Sequence, residues 1–351
     1  MAKVLVVATS RKTRGGITSV VKAHETGSQW KKYHCKWIQT HRDGPSWRKI
    51  VYFVHAFAQA MILVPFYDIV HIHMASIQSL RRARYFLFLA LLWKKKTIAH
   101  FHPHKPEVIF DPEHKEEYRK FFSAVDRIVV LSPQWERWIK EALGPFESIR
   151  VIFNPCPTVT RRTGKPKMKY ILFAAILYKR KGFVDLMEAF ARIAPQYPDW
   201  KLIIAGVPKG PEDQITIEEM PDKLGIKSQV LFPGWVTGNE KDSLFRNASI
   251  FCLASKSEGF PMAVLDAWAY GIPVVCTTAG GLIDIVQDGK NAMVFDYGDV
   301  DALAHKLSCL MANESLREEI AAESINLADT IFSIDIITKQ IGLLYEELLE
   351  K

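Results

Sequence analysis

The feature that most constrains this chain is an alternation: short runs built largely of Val, Ile, Leu and Phe recur between longer amphipathic stretches. The runs are Val4–Ala8, Ile69–His73, Thr97–His102, Arg127–Leu131, Tyr170–Ala175, Lys201–Ala205, Val230–Phe232, Ile250–Ala254 and Pro273–Thr277. A strand apolar on both faces belongs inside a parallel sheet, and parallel strands need crossovers long enough to be helices. The alternation halts across 154–169, where Asn154-Pro155-Cys156-Pro157 and the charged Arg161–Lys167 stretch remove periodicity, and it restarts at Tyr170. At 351 residues the chain also exceeds what one core supports. The pattern therefore predicts an α/β protein of two doubly wound parallel-sheet domains with an interdomain cleft, divided as 1–160 and 161–330, with a further helix in 331–351. Ligands of open parallel sheets sit beyond the carboxyl ends of the strands, so the loops after the runs are where chemistry belongs.

Charge separates the same halves. Residues 1–160 hold 25 Lys and Arg against 12 Asp and Glu, a net of +13, which leaves −5 for the rest of a chain whose total is +8. A basic first half suits an anionic partner: nucleic acid, anionic lipid or a pyrophosphate-linked acceptor. Nucleic acid is disfavoured because no basic helix or aromatic sheet pattern of a known reader is present. Five cysteines lie far apart with no C-x-x-C pair and are read as reduced thiols. Met1-Ala2-Lys3 leads straight into Val4–Ala8 without a leader pattern, so a cytoplasmic location is expected, including the inner face of the cell membrane. Val51–Tyr67, which holds His55, Gln59 and Pro65, is read as a buried helix rather than a span. Tyr85–Trp93, before Lys94-Lys95-Lys96, is too short to cross a bilayer. An aromatic, basic face resting on an anionic membrane stays open for this first half.

The segment richest in chemistry is Ser257-Glu258-Gly259-Phe260-Pro261-Met262-Ala263-Val264-Leu265-Asp266-Ala267, which sets two acids eight positions apart across a strand-to-helix junction. A helix starting near Pro261 exposes unpaired amides to a polar or anionic ligand, and Gly259 lets the backbone come close. Glu258 and Asp266 can accept hydroxyl protons of sugar and ribose. Gly271-Ile272-Pro273-Val274-Val275 and Thr277-Thr278-Ala279-Gly280-Gly281 follow, the glycine pair resembling a phosphate cradle.

With these residues in view the sequence resembles family 4 of the retaining glycosyltransferases, whose GT-B fold is two Rossmann-like domains facing one another. The likeness is strongest from Phe173 to Gly289. The family motif is Glu, seven residues, Glu, met here by Glu258 and the one-methylene-shorter Asp266. It implies that Glu258 contacts the donor sugar and Asp266 the nucleotide ribose, with Gly259, Phe260, Pro261 and Met262 completing the donor-binding turn. The family's Gly-Arg-Leu-x-x-x-Lys-Gly pattern reads Ala175-Ile176-Leu177-Tyr178-Lys179-Arg180-Lys181-Gly182 here. Lys181 therefore keeps the cation for the donor diphosphate, while Ile176 replaces the arginine and Lys179, Arg180 or a more distant group must substitute. Gly15-Gly16, after the opening strand, would approach the diphosphate or sugar, and Trp235 in Phe232-Pro233-Gly234-Trp235 belongs with the base. A histidine after the strand at Thr97–His102 would lie near the reacting sugar. His102 is the best match, with His100 and His104 remaining as candidates. A helix through Leu349 would cross back onto the first domain.

The resemblance implies a retaining transferase that uses a nucleotide-sugar donor, UDP-linked in preference to GDP-linked; the basic first half and its aromatic stretches suit a saccharide or lipid-linked saccharide acceptor, in bacterial surface polysaccharide assembly. No cofactor is expected. No Asp-x-Asp is found among the cleft-forming segments, and Lys181 with helix amino termini can neutralise the departing diphosphate, so no metal is expected either. His100, His102 and His104 alternate along one predicted strand, a spacing that suits zinc ligands, but no cysteine or carboxylate pair accompanies them and zinc is not expected. The alternatives are a UDP-GlcNAc 2-epimerase-like isomerase on the same fold and a non-catalytic binder of nucleotide sugars or polyanions.

Overall fold

The computed structural model describes residues 2–161 and 167–350. It divides into two compact units: Met1–Pro155 with Phe332–Lys351, and Cys156–Ile331. The sequence had placed these borders at 160/161 and 330/331. Residues from Cys156 onward already bond to the second unit, which moves the first border back: the Cys156 thiol donates to Leu265 O at 3.3 Å, and Arg161 Nε donates to Ala269 O at 2.8 Å. Residues 162–166 of the expected linker lie outside the described residues.

In unit 1 the strands are β1 (Val4–Ala8), β2 (Lys36–Gln39), β3 (Ile69–Met74), β4 (Lys96–Phe101), β5 (Arg127–Val130) and β6 (Ile149–Val151), all parallel in the order β2-β1-β3-β4-β5-β6. Helix α1 (Gly16–His24) follows β1, α2 (Ser46–Leu63) precedes β3, and α3 (Ile77–Leu92) follows it. The helix Ile334–Leu349 completes this core, its Ile337, Ile341, Leu344 and Leu348 clustering with Val4, Val6, Ile69, Ile98 and Val129. Glu347 ties that helix down by accepting from Arg127 at 2.6 Å and Arg150 at 2.7 Å. The two guanidiniums hold its carboxyl at about 2, well below the usual carboxylate range.

In unit 2, β7 (Met168–Ala174), β8 (Lys201–Ala205), β9 (Val230–Gly234), β10 (Ala248–Leu253), β11 (Val274–Cys276) and β12 (Met293–Val294) run parallel in the order β12-β11-β10-β7-β8-β9. Helix α4 (Phe183–Ile193) follows β7, and α5 (Met262–Ala269) follows β10.

Three strands, β2, β6 and β12, are absent from the sequence reading. All lie at sheet edges and have two to four residues, too few for an apolar run to stand out. The stretch Val51–Tyr67 is not the buried helix expected: within α2 only Ala56 and Ala60 are buried. A crossover helix covers a sheet with one stripe, here its small alanines, and the opposite stripe is apolar as well.

Candidate active site

Unit 2 brings its candidates together by topology. From β7 the chain steps to β8 and β9 on one side, then returns to place β10 on the other, so a crevice opens between the carboxyl ends of β7 and β10. The loop after β7 makes a 3₁₀ turn at Lys179–Lys181 and reaches α4 through Gly182, whose φ of 76° is left-handed. A Cβ on Gly182 would stand 1.9 Å from Ala254 O, so only glycine lets this loop approach the one leaving β10 so closely.

Across that approach Lys181 Nζ reaches Glu258 Oε1 at 2.5 Å, and Ser255 Oγ donates to the same oxygen at 2.6 Å. Thr277 Oγ1 donates to Ser255 O at 2.6 Å, fixing the loop from the β11 side. Arg180 latches the two loops: its Nη1 donates to Ser257 O and Oγ, both at 2.8 Å, its carbonyl accepts Lys256 N at 2.8 Å, and its guanidinium lies over the Tyr178 ring at 4.6 Å. Lys209 covers the same ring at 4.7 Å. Gly281 N bonds Gly259 O at 2.9 Å, and a Cβ on Gly280 would meet Glu258 O at 2.0 Å. Side-chain exposure is 17% for Lys181 and 7% for Glu258, so this is a nearly dry ion pair whose members are held by paired loops rather than by solvent.

The rest of the motif follows in order. Phe260 and Pro261 are buried, Pro261 caps α5, and Met262 is its first residue. Asp266 is buried on α5 and pairs with Lys241 at 2.6 Å. Trp235, partly exposed just past β9, lies at the sheet edge two strands from β7, about 10 Å sideways at ordinary strand spacing. The sequence does contain one Asp-x-Asp triplet, Asp299-Val300-Asp301. Asp299 caps a helix by accepting Ala302 N at 2.9 Å, and Asp301 pairs with Arg192, so both carboxylates serve structure.

In unit 1 the Gly15-Gly16 pair opens α1 after β1, and a Cβ on either would meet nothing within 4 Å. β4 ends at Phe101, so His102 and His104 both lie beyond it and the three histidines His100, His102 and His104 do not share one strand face. Parallel pairing instead sets His73 opposite His100, and His71, His73, His100 and His102 form a stack. Neighbouring rings are 4.2–5.3 Å apart and 11–28° from parallel. His24 of α1 closes on His73 and His100 at 6.0 Å. His71 Nδ1 and the Tyr345 hydroxyl share a hydrogen bond of 2.8 Å, His71 Nε2 and His100 Nδ1 one of 3.2 Å, and His73 Nδ1 and His102 Nε2 one of 2.9 Å. Burial drives all five rings to the neutral form, His24 and His102 down to about 3. Nitrogens of His71, His73 and His100 come within 4.8 Å of one another. Two of these nitrogens, His71 Nε2 and His100 Nδ1, are already partnered with each other in the hydrogen bond above.

Comparison with known proteins matches a family to unit 2 and a fold to the whole chain. Residues 158–326 match the family described as Glycosyl transferases group 1. Unit 2 belongs to the group 1 glycosyl transferases. Among curated relatives, the exopolysaccharide phosphotransferase of Streptomyces coelicolor is 29% identical over 231 residues, 65% of this chain and 24% of that protein. The D-inositol 3-phosphate glycosyltransferase of Corynebacterium urealyticum is 32% identical over 184 residues, 51% of this chain and 43% of that protein. The chain thus spans less than half of either relative. The structure of Anabaena HepE in complex with UDP-glucose superposes with a TM-score of 0.78 at 18% identity, covering 99% of this chain and 100% of that one. At that identity the likeness establishes the GT-B fold of the chain.

Within the group 1 domain the sequence missed Ser255 and Thr277, which orient Glu258, and the latch of Arg180 on Ser257. The Ser255-x-x-Glu258 spacing in a strand-to-helix loop was the available signal, since a hydroxyl three residues before an acid can reach back to it. In unit 1 it missed the parts played by His24, His71, His73 and Tyr345, which only strand register and the helix Ile334–Leu349 bring together.

Proposed function

We propose that the chain is a retaining, metal-independent glycosyltransferase that moves a sugar from a nucleotide sugar, UDP-linked by preference, to a saccharide or lipid-linked saccharide. We place its work in bacterial surface polysaccharide assembly, on the cytoplasmic side of the membrane. The observation that carries this reading is the Lys181–Glu258 pair, oriented by Ser255, at the switch point between β7 and β10. The names of the relatives, with exopolysaccharide and glycosyl transfer among them, and the UDP-glucose held by HepE support it.

The chemistry follows from what each group can offer. Lys181 and Ser255 both donate to Oε1 of Glu258, so its second oxygen is the one to accept a donor-sugar hydroxyl. Lys181, at the start of α4, faces the growing charge on the departing diphosphate. There a fixed cation near a helix amino terminus is worth most, because negative charge appears only as the glycosidic bond breaks. Asp266 takes the ribose hydroxyls, exchanging its bond to Lys241. His102, held neutral, can donate to or accept from a donor hydroxyl without adding charge. In a retaining transfer on one face, the acceptor hydroxyl gives its proton to the leaving phosphate oxygen, so no carboxylate base is needed.

The test is a thermal-shift screen of UDP, GDP and ADP with and without EDTA, alongside donor hydrolysis. UDP stabilises the protein whether or not EDTA is present, by about 2.7 kcal/mol at a hundred times its dissociation constant. Lys181→Ala loses the shift and about 100-fold or more in turnover. No response to any nucleoside diphosphate would remove the reading, an EDTA-sensitive response its metal-independent part, and epimer formation from UDP-GlcNAc without acceptor would replace it by the isomerase.

A further inference from the structure

Helix α2 with the short turn Val64–Phe66 forms a 21-residue segment, Ser46–Phe66, long and apolar enough to cross a membrane, yet only 17% of its most apolar window is buried. Its exposed residues Trp47, Ile50, Val51, Val54, Met61 and Ile62 fall at helical spacing on one stripe, and Phe66, 70% exposed, extends it. The crossovers β2 to β3 and β3 to β4 move the same way across the sheet, so their right-handedness places α2 and α3 on one face. Phe53 and Phe57 of α2 meet Tyr85 and Phe86 of α3 at 5.3–6.2 Å. At the far ends Lys95 Nζ donates to Pro65 O at 2.8 Å, tying the turn after α2 to the segment just after α3, where Leu91, Leu92 and Trp93 are exposed. Residues 44–96 carry eight Lys and Arg, among them Arg48, Lys49, Lys94 and Lys96, against one acidic residue, Asp68.

We infer that this face of unit 1 docks the protein flat on an anionic bilayer, with the α2 stripe and the Leu91–Trp93 corner inserted among the acyl chains and the basic rim on lipid phosphates. Apolar side chains ringed by cations of one sign complement that surface. A second copy of the chain fits worse, because a two-fold contact would set the same cations against themselves. Nor can α2 span: it joins β2 to β3, and both pair with β1 in one sheet, which a crossing would divide between two sides. The docking deepens the lipid-linked acceptor reading above. The Arg42 side chain, and more weakly Ser10 just after β1, act on the Tyr52 hydroxyl and lower its pKa, so α2 passes close to the carboxyl ends of the unit 1 strands, where an acceptor headgroup would be received.

The test is flotation of the full chain with vesicles of phosphatidylcholine alone or with a third phosphatidylglycerol, without donor or acceptor, so that it stands apart from transfer. Binding is expected on the anionic vesicles and falls as salt rises. Lys94→Gln with Lys96→Gln lowers the partition about 30-fold. Ile62→Ser with Phe66→Ser, at exposed positions where folding is not at stake, lowers it at least tenfold while melting and UDP binding stay unchanged. The inference is overturned if the parent chain ignores anionic vesicles, if it is a dimer that the Ile62→Ser, Phe66→Ser variant splits, or if bound protein resists alkaline carbonate as a spanning chain does.

Discussion

In unit 2 the two strands that flank the switch point end in loops holding a charged pair, Lys181 and Glu258, while in unit 1 the paired strands β3 and β4 carry stacked neutral imidazoles. The charged site needs two loops forced within contact distance, which glycine at 182 and 280 permits and the Arg180–Ser257 latch maintains. The neutral one needs only parallel register, which sets His73 against His100, and burial, which strips their protons. The family match falls within the borders of unit 2, 158–326 against Cys156–Ile331.

The largest expected break in this comparison comes from Gly182. Gly182→Ala forces a left-handed residue to carry a Cβ and drives it into Ala254 O at 1.9 Å, a backbone atom that cannot swing aside. Strain and overpacking together cost about 2–5 kcal/mol. Melting of unit 2 drops accordingly and donor hydrolysis is lost with it. If Gly182→Ala melts like the parent, the two loops are not held in the close approach on which the Lys181–Glu258 pair depends.

Acidification sharpens the contrast next. His24 and His102 titrate near 3 in the folded chain against an ordinary value of 6.5, so the unfolded chain takes up protons first as pH falls. Their neutral burial therefore costs nothing above about pH 6.5, and below it each withdraws about 1.4 kcal/mol of stability per pH unit until the folded rings protonate. At pH 5.5 these two alone remove about 3 kcal/mol from unit 1. Limited proteolysis read by mass spectrometry at pH 7 and pH 5.5 should show new cuts in 1–155 first. Cuts that begin in 156–331, or a pattern indifferent to pH, would deny that the stack is buried and neutral.

How much of this could be seen in the chain alone depended on how local each feature is. The buried strands β1, β3, β4, β7, β8 and β10 announce themselves because their apolar runs face helices on both sides, and Lys181, Glu258 and Asp266 sit in short contiguous motifs. His71 and His73 were visible as residues, yet their meeting with His100 is a matter of register between segments about 30 positions apart. Tyr345 reaches His71 from 274 positions away, a separation no local pattern encodes. The apolar stripe of α2 misled for a different reason: periodicity shows that a helix has two apolar sides but not that a sheet covers only one.

The smallest effect is also the cleanest probe of what unit 1 contributes. Gly15, with φ of 151°, would be strained by any side chain, so its substitution confuses backbone with ligand. Gly16 has no such constraint: it is the first residue of α1, and a Cβ there meets nothing within 4 Å. Gly16→Ala should leave melting unchanged or raise it by less than about 1 kcal/mol, since alanine favours the helix. If the backbone at Gly16 comes against the donor, the same methyl group occupies the space the donor needs and weakens UDP-sugar binding about tenfold, read by titration calorimetry, with binding of UDP alone affected less because the sugar is what the methyl excludes. Equal affinity in Gly16→Ala and the parent would instead make the glycine pair an ordinary helix start. Donor recognition would then fall to unit 2 and to His102, and the difference between the units would be one of role as well as of charge.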